Sequence, residues 1–342
     1  MSAPQTQMRR EIDEIPEAVE RLLTQGAEAV SATAREVRDL APSYLLSVAR
    51  GSSDHACTYL KYASELLLGL PMASVGPSVK SIYGVDLSCK GALSISVSQS
   101  GKSPDIVQLT SAFAAKGAYT VAITNDAASP LAAASAAILP IHAGPELSVA
   151  ATKTFVTSLV TGLWMLAEVK QDAALLAAIR KLPDHLAKAK DCDWSAAVEA
   201  IDGNSLYTLG RGPSWAVANE AALKFKETCQ IHAESYSAAE VLHGPVSIVG
   251  QDFPVIAFAA GDAAEASVAE MAEALVAKGA QVFATTERAT GAEVLPHVRT
   301  DHWITDPIAS IVSFYGMVEA VAARRGVNPD APRHLNKVTE TV

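Results

Sequence analysis

The chain has 342 residues, of which 49% are hydrophobic and 19% charged, and its formal net charge is −10 at pH 7. This length and composition are sufficient for two domains of ordinary size, each with its own apolar core. The negative charge argues against a nucleic-acid surface, residues 1–10 contain no signal-peptide core, and no apolar run approaches the roughly 20 residues that span a bilayer. We therefore expect a cytoplasmic protein that binds neither nucleic acid nor membrane.

The cysteine and histidine patterns favour neither disulfides nor a metal site. The four cysteines are scattered, at Cys57, Cys89, Cys192 and Cys229, without a C-x-x-C pair. None of the eight histidines shows H-x-x-x-H spacing with a third ligand nearby. We expect reduced, buried thiols, no metal and no cofactor.

The first half of the chain predicts helices alternating with short apolar strands. Residues 8–40 have helical spacing, strands are predicted near 44–49, 92–97, 119–124 and 136–141, and a long helical region is predicted from about 150 to 186. In the second half, strands are predicted near 205–210, 254–259 and 281–286. A helix is predicted to begin near Ser214, and another covers 308–325.

The two halves are copies of one unit. Arg50-Gly51-x-Ser53 recurs as Arg211-Gly212-x-Ser214, and 115–118 (AKGA) recurs as 277–280 at almost the same separation. Such alternation predicts an α/β protein with two tandem domains, each a parallel sheet flanked by helices on both faces. The predicted boundaries are 1–40 for a leading helical segment, 41–190 and 191–328 for the two domains, and 329–342 for a C-terminal tail.

A serine-rich turn follows the predicted strand at 92–97. The segment 98–103 (SQSGKS) places hydroxyls and a glycine where a strand gives way to a helix beginning at Pro104. Free backbone N–H groups at a helix start, together with hydroxyl donors, suit a phosphate monoester. An ordinary serine-rich turn explains the segment alone equally well. The corresponding stretch of the second copy, 257–261, has no hydroxyl, so we expect only the first copy to bind phosphate.

Ionisable residues concentrate in the second copy. Lys224 and Glu227 lie three residues apart on the predicted helix, where the lysine can hold the carboxylate ionised as a base or form a surface ion pair. His243, before Gly244-Pro245, is placed to relay protons, although a helix C-cap is the simpler role. Lys337 is either an idle terminal lysine or an amine delivered to a carbonyl for imine formation. Glu146, in the first copy, is placed to bind sugar hydroxyls.

These motifs together resemble the double SIS-domain (sugar isomerase) family, and in particular the isomerase half of glucosamine-6-phosphate synthase. The resemblance covers almost the whole length and is carried by these segments: 98–101 (SQSG), 142–146 (HAGPE), 151–153 (ATK), 209–212 (LGRG), 222–227 (ALKFKE), 231–234 (IHAE), 243–245 (HGP) and 332–337 (PRHLNK).

The resemblance implies roles for particular side chains. It implies that the substrate phosphate is bound by Ser52, Ser53, Ser98, Gln99, Ser100 and Ser103, with backbone contacts from Val149. Glu227 is then the base that moves a proton between C1 and C2, with Lys224 orienting it. His243 opens the sugar ring from the neighbouring subunit of a homodimer, and Lys337 is the tail lysine that forms an imine with the ketose.

Departures from the synthase pattern shape the expected reaction. The first cysteine is Cys57, so we expect no glutamine hydrolysis through an N-terminal cysteine. Lys102 replaces an acidic residue and Asn336 a small one, which leaves the choice of amino sugar open. We expect a glucosamine-6-phosphate deaminase of the SIS type, which releases fructose 6-phosphate and ammonia. The alternatives are a deaminase or deglycase for galactosamine 6-phosphate or fructosamine 6-phosphate, and a sugar-phosphate sensor without catalysis.

Overall fold

The computed structural model describes residues 5–337. By its internal contacts the chain divides into two compact units. Unit 1 extends to Pro16, takes in Leu147–Thr152 and continues over Lys181–Leu335. Unit 2 comprises Glu17–Glu146 and Lys153–Arg180, and begins again at Asn336. This division interleaves segments that the sequence boundaries kept apart, and those boundaries stay a prediction.

Fourteen helices and ten strands make up the described chain. The helices are α1 (Gln7–Asp13), α2 (Ile15–Gln25), α3 (Ala27–Leu40), α4 (Ser52–Leu68), α5 (Ser78–Ser81), α6 (Pro104–Ala115), α7 (Pro130–Ala133), α8 (Lys153–Lys170), α9 (Ala173–Arg180), α10 (Leu182–Ala189), α11 (Ser195–Ala200), α12 (Pro213–Cys229), α13 (Glu265–Val276) and α14 (Asp306–Arg324). The strands are β1 (Leu45–Val48), β2 (Met72–Ser74), β3 (Leu93–Val97), β4 (Tyr119–Thr124), β5 (Ala137–Pro140), β6 (Ser205–Gly210), β7 (His232–Ser237), β8 (Pro254–Ala257), β9 (Gln281–Ala284) and β10 (Glu293–Val294). Short 3₁₀ helices occupy Ala238–His243, Pro245–Ile248 and Trp303–Thr305.

Each unit contains one five-stranded parallel sheet, and the two sheets have the same topology. The order is β2-β1-β3-β4-β5 in unit 2 and, in equivalent strands, β7-β6-β8-β9-β10 in unit 1. Every strand pair is parallel. The predicted α/β fold with two tandem parallel sheets is confirmed.

The turns that follow the first strand of each sheet have nearly the same backbone dihedral angles. Gly51 has φ 58° and ψ −135°, and Gly212 has φ 59° and ψ −138°. A positive φ is accessible to glycine at little cost and is strained for other residues. The internal duplication inferred from the Arg-Gly pattern is therefore also a duplication of backbone conformation.

The predicted strands are found within a few residues of their expected positions, and three strands were not predicted. β2, β7 and β10 lie at sheet edges, where one face or flank meets solvent and apolar alternation is weak. β7 is the polar sequence His-Ala-Glu-Ser-Tyr-Ser, which carries no strand periodicity.

The long helical region expected from about 150 to 186 is found, and it is divided into three helices, α8, α9 and α10. Gln171 adopts a left-handed φ of 58° and ends α8. Asp172 then accepts the N–H of Leu175 and starts α9. Pro183, in the first turn of α10, favours a third helix start over a continuation.

Apolar side chains from strands and helices fill each core. In unit 2 Val48, Ile106, Leu109 and Phe113 pack between the sheet and α6. In unit 1 α14 is almost wholly enclosed. The segment Trp303–Arg324 has the length and mean hydropathy, 1.2, of a membrane span, but 89% of its most apolar stretch is buried within the protein. That burial is typical of a core helix, which needs no lipid to cover its apolar faces.

Candidate active site

The predicted phosphate-binding residues of unit 2 lie where the sheet reverses its strand order. β1 and β3 are parallel neighbours, so the turns after them lie side by side. The chain leaves β1 through α4 towards β2 on one flank and leaves β3 through α6 towards β4 on the other. Such a reversal opens a crevice at the carboxyl ends of the two strands, where α/β proteins bind ligands.

The loop after β3 presents donors into this crevice. Among residues 5–337, no acceptor is found for the backbone N–H groups of Gln99 and Ser100. Ser103 is the N-cap of α6 but makes no capping hydrogen bond with its hydroxyl. Ser98 is buried, and its hydroxyl accepts the N–H of Gly101 at 3.2 Å. Ser98 thus shapes the loop, while the other groups are available to an anion.

Ser52 and Ser53 form the first turn of α4, and both are half-buried. Two helix starts therefore follow neighbouring strand ends, each with the partial positive charge of a helix N-terminus. Lys102 is exposed, and its Nζ lies 3.8 Å from Oδ2 of Asp126. An exposed pair at that distance contributes little to stability.

An ion pair joins the two helix starts. Arg50, just before α4, donates from Nε and Nη2 to Oδ2 of Asp105 at 2.9 and 2.7 Å. Asp105 is 1% exposed and lies in the first turn of α6. The guanidinium offsets a buried negative charge beside the proposed phosphate position. Burial raises the pKa of Asp54, against the opposing effects of His55 and Arg50.

The loop after β5 carries Glu146 and is held at two points. Arg21 donates from Nε to the carbonyl of His142 at 2.7 Å, and His142 takes a strained φ of 49°. Asn125 accepts the N–H of Ala143 and donates to the carbonyl of Gly144. Burial, with a further effect from Arg21, lowers the pKa of the His142 imidazole and favours its neutral form.

Glu146 and Lys337 form an ion pair in unit 2. The Lys337 Nζ donates to Oε2 of Glu146 at 2.8 Å, and the Glu146 side chain is fully buried. Thr154 donates to the same carboxylate from its N–H at 3.1 Å and from its hydroxyl at 2.7 Å. In this conformation Glu146 caps α8 and fixes the tail amine, so its predicted contact with sugar hydroxyls requires a rearrangement or a bridging group.

Val149 belongs to the segment Leu147–Thr152 of unit 1 and is half-buried. This segment has no regular secondary structure. Its backbone N–H and carbonyl groups therefore take no part in the hydrogen bonds of a helix or a sheet.

Glu227 of unit 1 is held by a buried lysine. Lys224 is fully buried on α12 and donates to Oε2 of Glu227, whose side chain keeps 20% of its surface exposed. On its other side Lys224 lies 3.3 Å from Oε1 of Glu220, which is also fully buried. Burial alone would lower the pKa of Lys224, but the carboxylates of Glu220 and Glu227 together raise it.

The surface ion-pair alternative for Lys224 and Glu227 does not fit this burial. An ammonium without solvent, between one enclosed and one accessible carboxylate, stays charged and fixes the accessible one in place. Sequence reasoning missed Glu220, although its position four residues before Lys224 on the same helix face was a usable signal.

His243 ends the first 3₁₀ helix, where Gly244 adopts φ 133°. The imidazole is exposed, as expected for a side chain projected from a loop. Its predicted role across a subunit boundary stays a prediction.

The equivalent strand ends in unit 1 are closed by the protein itself. After β8, the N–H of Gly261 donates to Oδ2 of Asp306 at 2.8 Å, and Asp306 is 2% exposed. Its other oxygen accepts the N–H of Thr300 at 2.8 Å. The internal carboxylate of Asp306 thus accepts a hydrogen bond from a backbone N–H of unit 1. At the equivalent position, unit 2 has backbone donors that are available to a ligand. In the described part of the chain, no cluster of three or more His, Cys, Asp or Glu has the arrangement of a metal site.

Comparisons with known proteins cover nearly the full chain. The sequence profile of the SIS domain matches residues 44–168 and 201–319. A glutamine–fructose-6-phosphate aminotransferase (isomerizing) of Sulfurisphaera tokodaii is 30% identical over 96% of this chain and 56% of its own length. That of Pyrobaculum aerophilum is 33% identical over 87% of this chain and 51% of its own length. The chain thus spans about half the length of the curated relatives it matches.

Two solved structures extend the comparison. A protein of Silicibacter pomeroyi DSS-3, described as a candidate phosphosugar isomerase, is 63% identical with a TM-score of 0.92, over 95% of this chain and all of the other. A glucosamine-6-phosphate deaminase of Thermotoga maritima is 20% identical with a TM-score of 0.79, over 98% of this chain and all of its own, a likeness of fold alone.

Proposed function

The chain belongs to the SIS domain family, and on this basis we propose that it is a phosphosugar isomerase that acts on an amino-sugar phosphate. The reaction we propose converts glucosamine 6-phosphate and water into fructose 6-phosphate and ammonia. The names of the aminotransferase relatives and of the candidate phosphosugar isomerase support the substrate class.

The observation that carries the proposal is the Glu227 carboxylate on its buried lysine. A general base must be ionised, oriented and reachable by substrate. The buried Lys224 ammonium provides the positive charge that pairs with the Glu227 carboxylate and holds it in one orientation. The partial exposure of Glu227 gives the substrate access to this carboxylate. Burial of the Lys224 and Glu220 charges carries a desolvation penalty, and a sensor that only bound a sugar phosphate would have no use for it.

The proposed steps balance without a metal or organic cofactor. His243 assists ring opening by moving the proton of the anomeric hydroxyl to the ring oxygen. Glu227 then takes the proton from C2 of the open-chain aldehyde and returns it at C1, while a proton passes from the amino group to the oxygen on C1, which leaves a hydroxymethyl group at C1 and an imine at C2. Water adds to this imine, and the C2–N bond breaks to give the ketone and ammonia.

The donors of unit 2 are proposed to bind the phosphate group throughout. Lys337 is proposed as the amine that forms an imine with the ketose once it leaves Glu146. Of the two reaction directions, ammonia release needs only water as a co-reactant, and this is why we propose deamination. The homodimer, the cytoplasmic location and the four predicted segments 1–40, 41–190, 191–328 and 329–342 belong to the same proposal.

The test is ammonia release from glucosamine 6-phosphate by the purified protein, compared with Glu227→Gln. We expect turnover in the parent, and a loss of about 10²–10⁴-fold in kcat in the variant with substrate binding retained. Fructose 6-phosphate is measured in the same reaction, because deamination must yield it in equal amount.

A panel with galactosamine 6-phosphate and fructosamine 6-phosphate decides the amino sugar. Turnover of one of these alone moves the proposal to that substrate. Binding of all three without any turnover rejects an enzyme and leaves the sensor.

A further inference from the structure

The two partners of one ion pair in unit 2 differ in their access to solvent. Nζ of Lys337 donates to Oε2 of Glu146 at 2.8 Å. The lysine side chain keeps 25% of its surface exposed, whereas the glutamate side chain keeps none. Lys153, the first residue of α8, is also a lysine of this unit, but it is only 1% exposed. Of these two amines, Lys337 is therefore the one that a dissolved carbonyl compound can reach.

An amine in an ion pair is not yet a nucleophile. A lysine side chain is ordinarily an ammonium ion at neutral pH, and an ammonium has no electron pair with which to attack a carbonyl. Imine formation at Lys337 thus requires a proton acceptor. Oε2 of Glu146 is already in hydrogen-bond contact with the nitrogen that must lose the proton.

Burial favours one destination for that proton when the two side chains separate. If Lys337 left as an ammonium, Glu146 would stay behind as an enclosed anion without this counter-ion. That is costly even where hydrogen bonds remain, such as those from the N–H and the hydroxyl of Thr154. If the proton stays on Oε2, Glu146 becomes neutral and Lys337 leaves as a free amine.

We propose that Glu146 is a catalytic residue that takes the ammonium proton of Lys337 and so releases the tail lysine as a nucleophile for the C2 carbonyl of a ketose phosphate. This rests on the proposed function, which assigns Lys337 to an imine with the ketose.

The proposed step balances. The amine nitrogen forms a bond to C2, the bond between C2 and the carbonyl oxygen breaks, and both hydrogens of the free amine leave with that oxygen as water. Hydrolysis of the imine reverses these changes. The proton on Glu146 then returns to the amine as the ion pair reforms.

The experiment follows imine formation independently of ammonia release. Fructose 6-phosphate labelled with ¹⁸O at C2 loses the label to water when an imine forms and is hydrolysed, and mass spectrometry gives the rate above the rate without protein. Cyanoborohydride reduces the imine to a secondary amine, and peptide mass spectrometry then locates the adduct on the chain.

The variants separate the proton acceptor from the contact. Glu146→Gln keeps a side-chain oxygen that can accept the N–H of Thr154, but it cannot take a proton. Asp86→Asn is the matched control, because Asp86 is exposed in the same unit and pairs with Lys80 and Lys116.

In the parent we expect label exchange, an adduct on Lys337, and a rate that changes less than about two-fold between about pH 7 and 9, because the proton moves only within the pair. Glu146→Gln should exchange about 10²–10⁴-fold more slowly at about pH 7. Its rate should rise about ten-fold per pH unit, because it follows the fraction of free amine. Asp86→Asn should match the parent in rate and in pH dependence.

Three results overturn the inference. They are a parent without an adduct on Lys337, a Glu146→Gln variant that matches the parent in rate and pH dependence, and a Glu146→Gln variant that is slower but has the flat profile of the parent. The last result is what a purely structural role predicts. If Glu146→Gln does not fold, the parent decides, because a ten-fold rise per pH unit in the parent rejects an acceptor within the pair.

The two proposals fail separately. A parent that exchanges the label but releases no ammonia from glucosamine 6-phosphate rejects the deaminase and leaves the role of Glu146. A parent that releases ammonia without label exchange rejects only the role of Glu146, and a parent that does neither rejects both.

Discussion

Lys224 is the residue whose environment most constrains the chemistry of unit 1. It is fully buried, and so is one of its two carboxylate partners, Glu220. Tyr315 donates a long hydrogen bond of 3.4 Å to that carboxylate. Charges enclosed in this way depend on one another, because removal of one leaves the others without solvent or counter-ion. The group is thus costly for stability and is best explained by what it does for Glu227.

Replacement of Lys224 should expose this cost. We expect Lys224→Ala to lower the free energy of unfolding by about 3–5 kcal/mol, because Glu220 is then a buried, uncompensated charge. The apolar double variant Glu220→Leu/Lys224→Met should regain most of that loss and still lack turnover. Urea denaturation followed by circular dichroism measures both. Lys226→Ala, exposed on the same helix, should stay within about 0.5 kcal/mol of the parent. A double variant with full activity would contradict the role of the lysine.

Tyr236 gives a spectroscopic prediction at the same scale. Its hydroxyl donates to Oε2 of Glu234 at 2.7 Å, and this hydrogen bond, with burial and the nearby charge, raises the pKa of Tyr236 to about 12. The folded state therefore keeps this proton between about pH 10 and 12, where the unfolded chain loses it. The contribution of the protonated Tyr236 hydroxyl to the free energy of unfolding is therefore complete below about pH 10 and is lost as the pH rises to 12.

Absorbance at 295 nm, taken as parent minus Tyr236→Phe, should titrate with a midpoint near 12. A midpoint near 10, the ordinary value for tyrosine, would mean that the contact with Glu234 does not persist in solution.

At the scale of the element, the turn between β3 and α6 depends on one glycine. Gly101 has φ +62°, and a Cβ placed on it would lie 2.1 Å from Oγ of Ser129. Ser129 is itself committed to the N–H of Ala132 as the cap of α7, and the carbonyl of Gly101 accepts the N–H of Leu131. The turn is therefore fixed by α7 as well as by its own hydroxyls.

We expect Gly101→Ala to weaken inorganic phosphate binding by at least about ten-fold, since the turn must shift to admit a methyl group. Gly84→Ala is the matched control, because Gly84 has φ +66° with nothing within 4 Å of an added Cβ. Both variants carry the backbone strain, and only the first displaces the loop. Equal phosphate affinity in the two would show that the turn is not the phosphate site.

At the scale of the molecule, two copies of one fold have diverged at equivalent positions. The strand ends of unit 2 carry uncommitted donors, whereas in unit 1 Asp306 accepts from Gly261 and Thr300. An internal carboxylate excludes an external anion by charge and by occupancy. The repeat with the lysine-bound Glu227 is thus the repeat whose own phosphate position is closed.

Titration calorimetry should accordingly find one phosphate per chain. The double variant Ser100→Ala/Ser103→Ala should weaken that binding by about ten-fold or more for each hydroxyl that contacts the anion. Ser267→Ala, in the first turn of α13, should leave it unchanged, because its hydroxyl is spent on the carbonyl of Ala264. Two equivalent phosphates per chain would contradict the division between the repeats.

The local sequence determined the interior strands, the parallel α/β class and the duplication, because buried strands need continuous apolar runs and the turns after them need glycine. The same local chemistry pointed to Lys224 and Glu227, which share one helix face.

Only the tertiary structure decided which charges are buried and what they contact. The structure showed that Glu220 is buried beside Lys224 and that Glu146 is bound by Thr154 and Lys337. It also showed that Glu11 accepts the N–H of Leu147 and that Asp306 accepts the N–H of Gly261. Most of these contacts join residues that are far apart in the chain. Polar edge strands such as β7, and the boundaries that divide the helical region at 150–186 into α8, α9 and α10, were also not predicted from the sequence. Their cause is the neighbouring strand or the backbone angle of a single residue, and periodicity records neither.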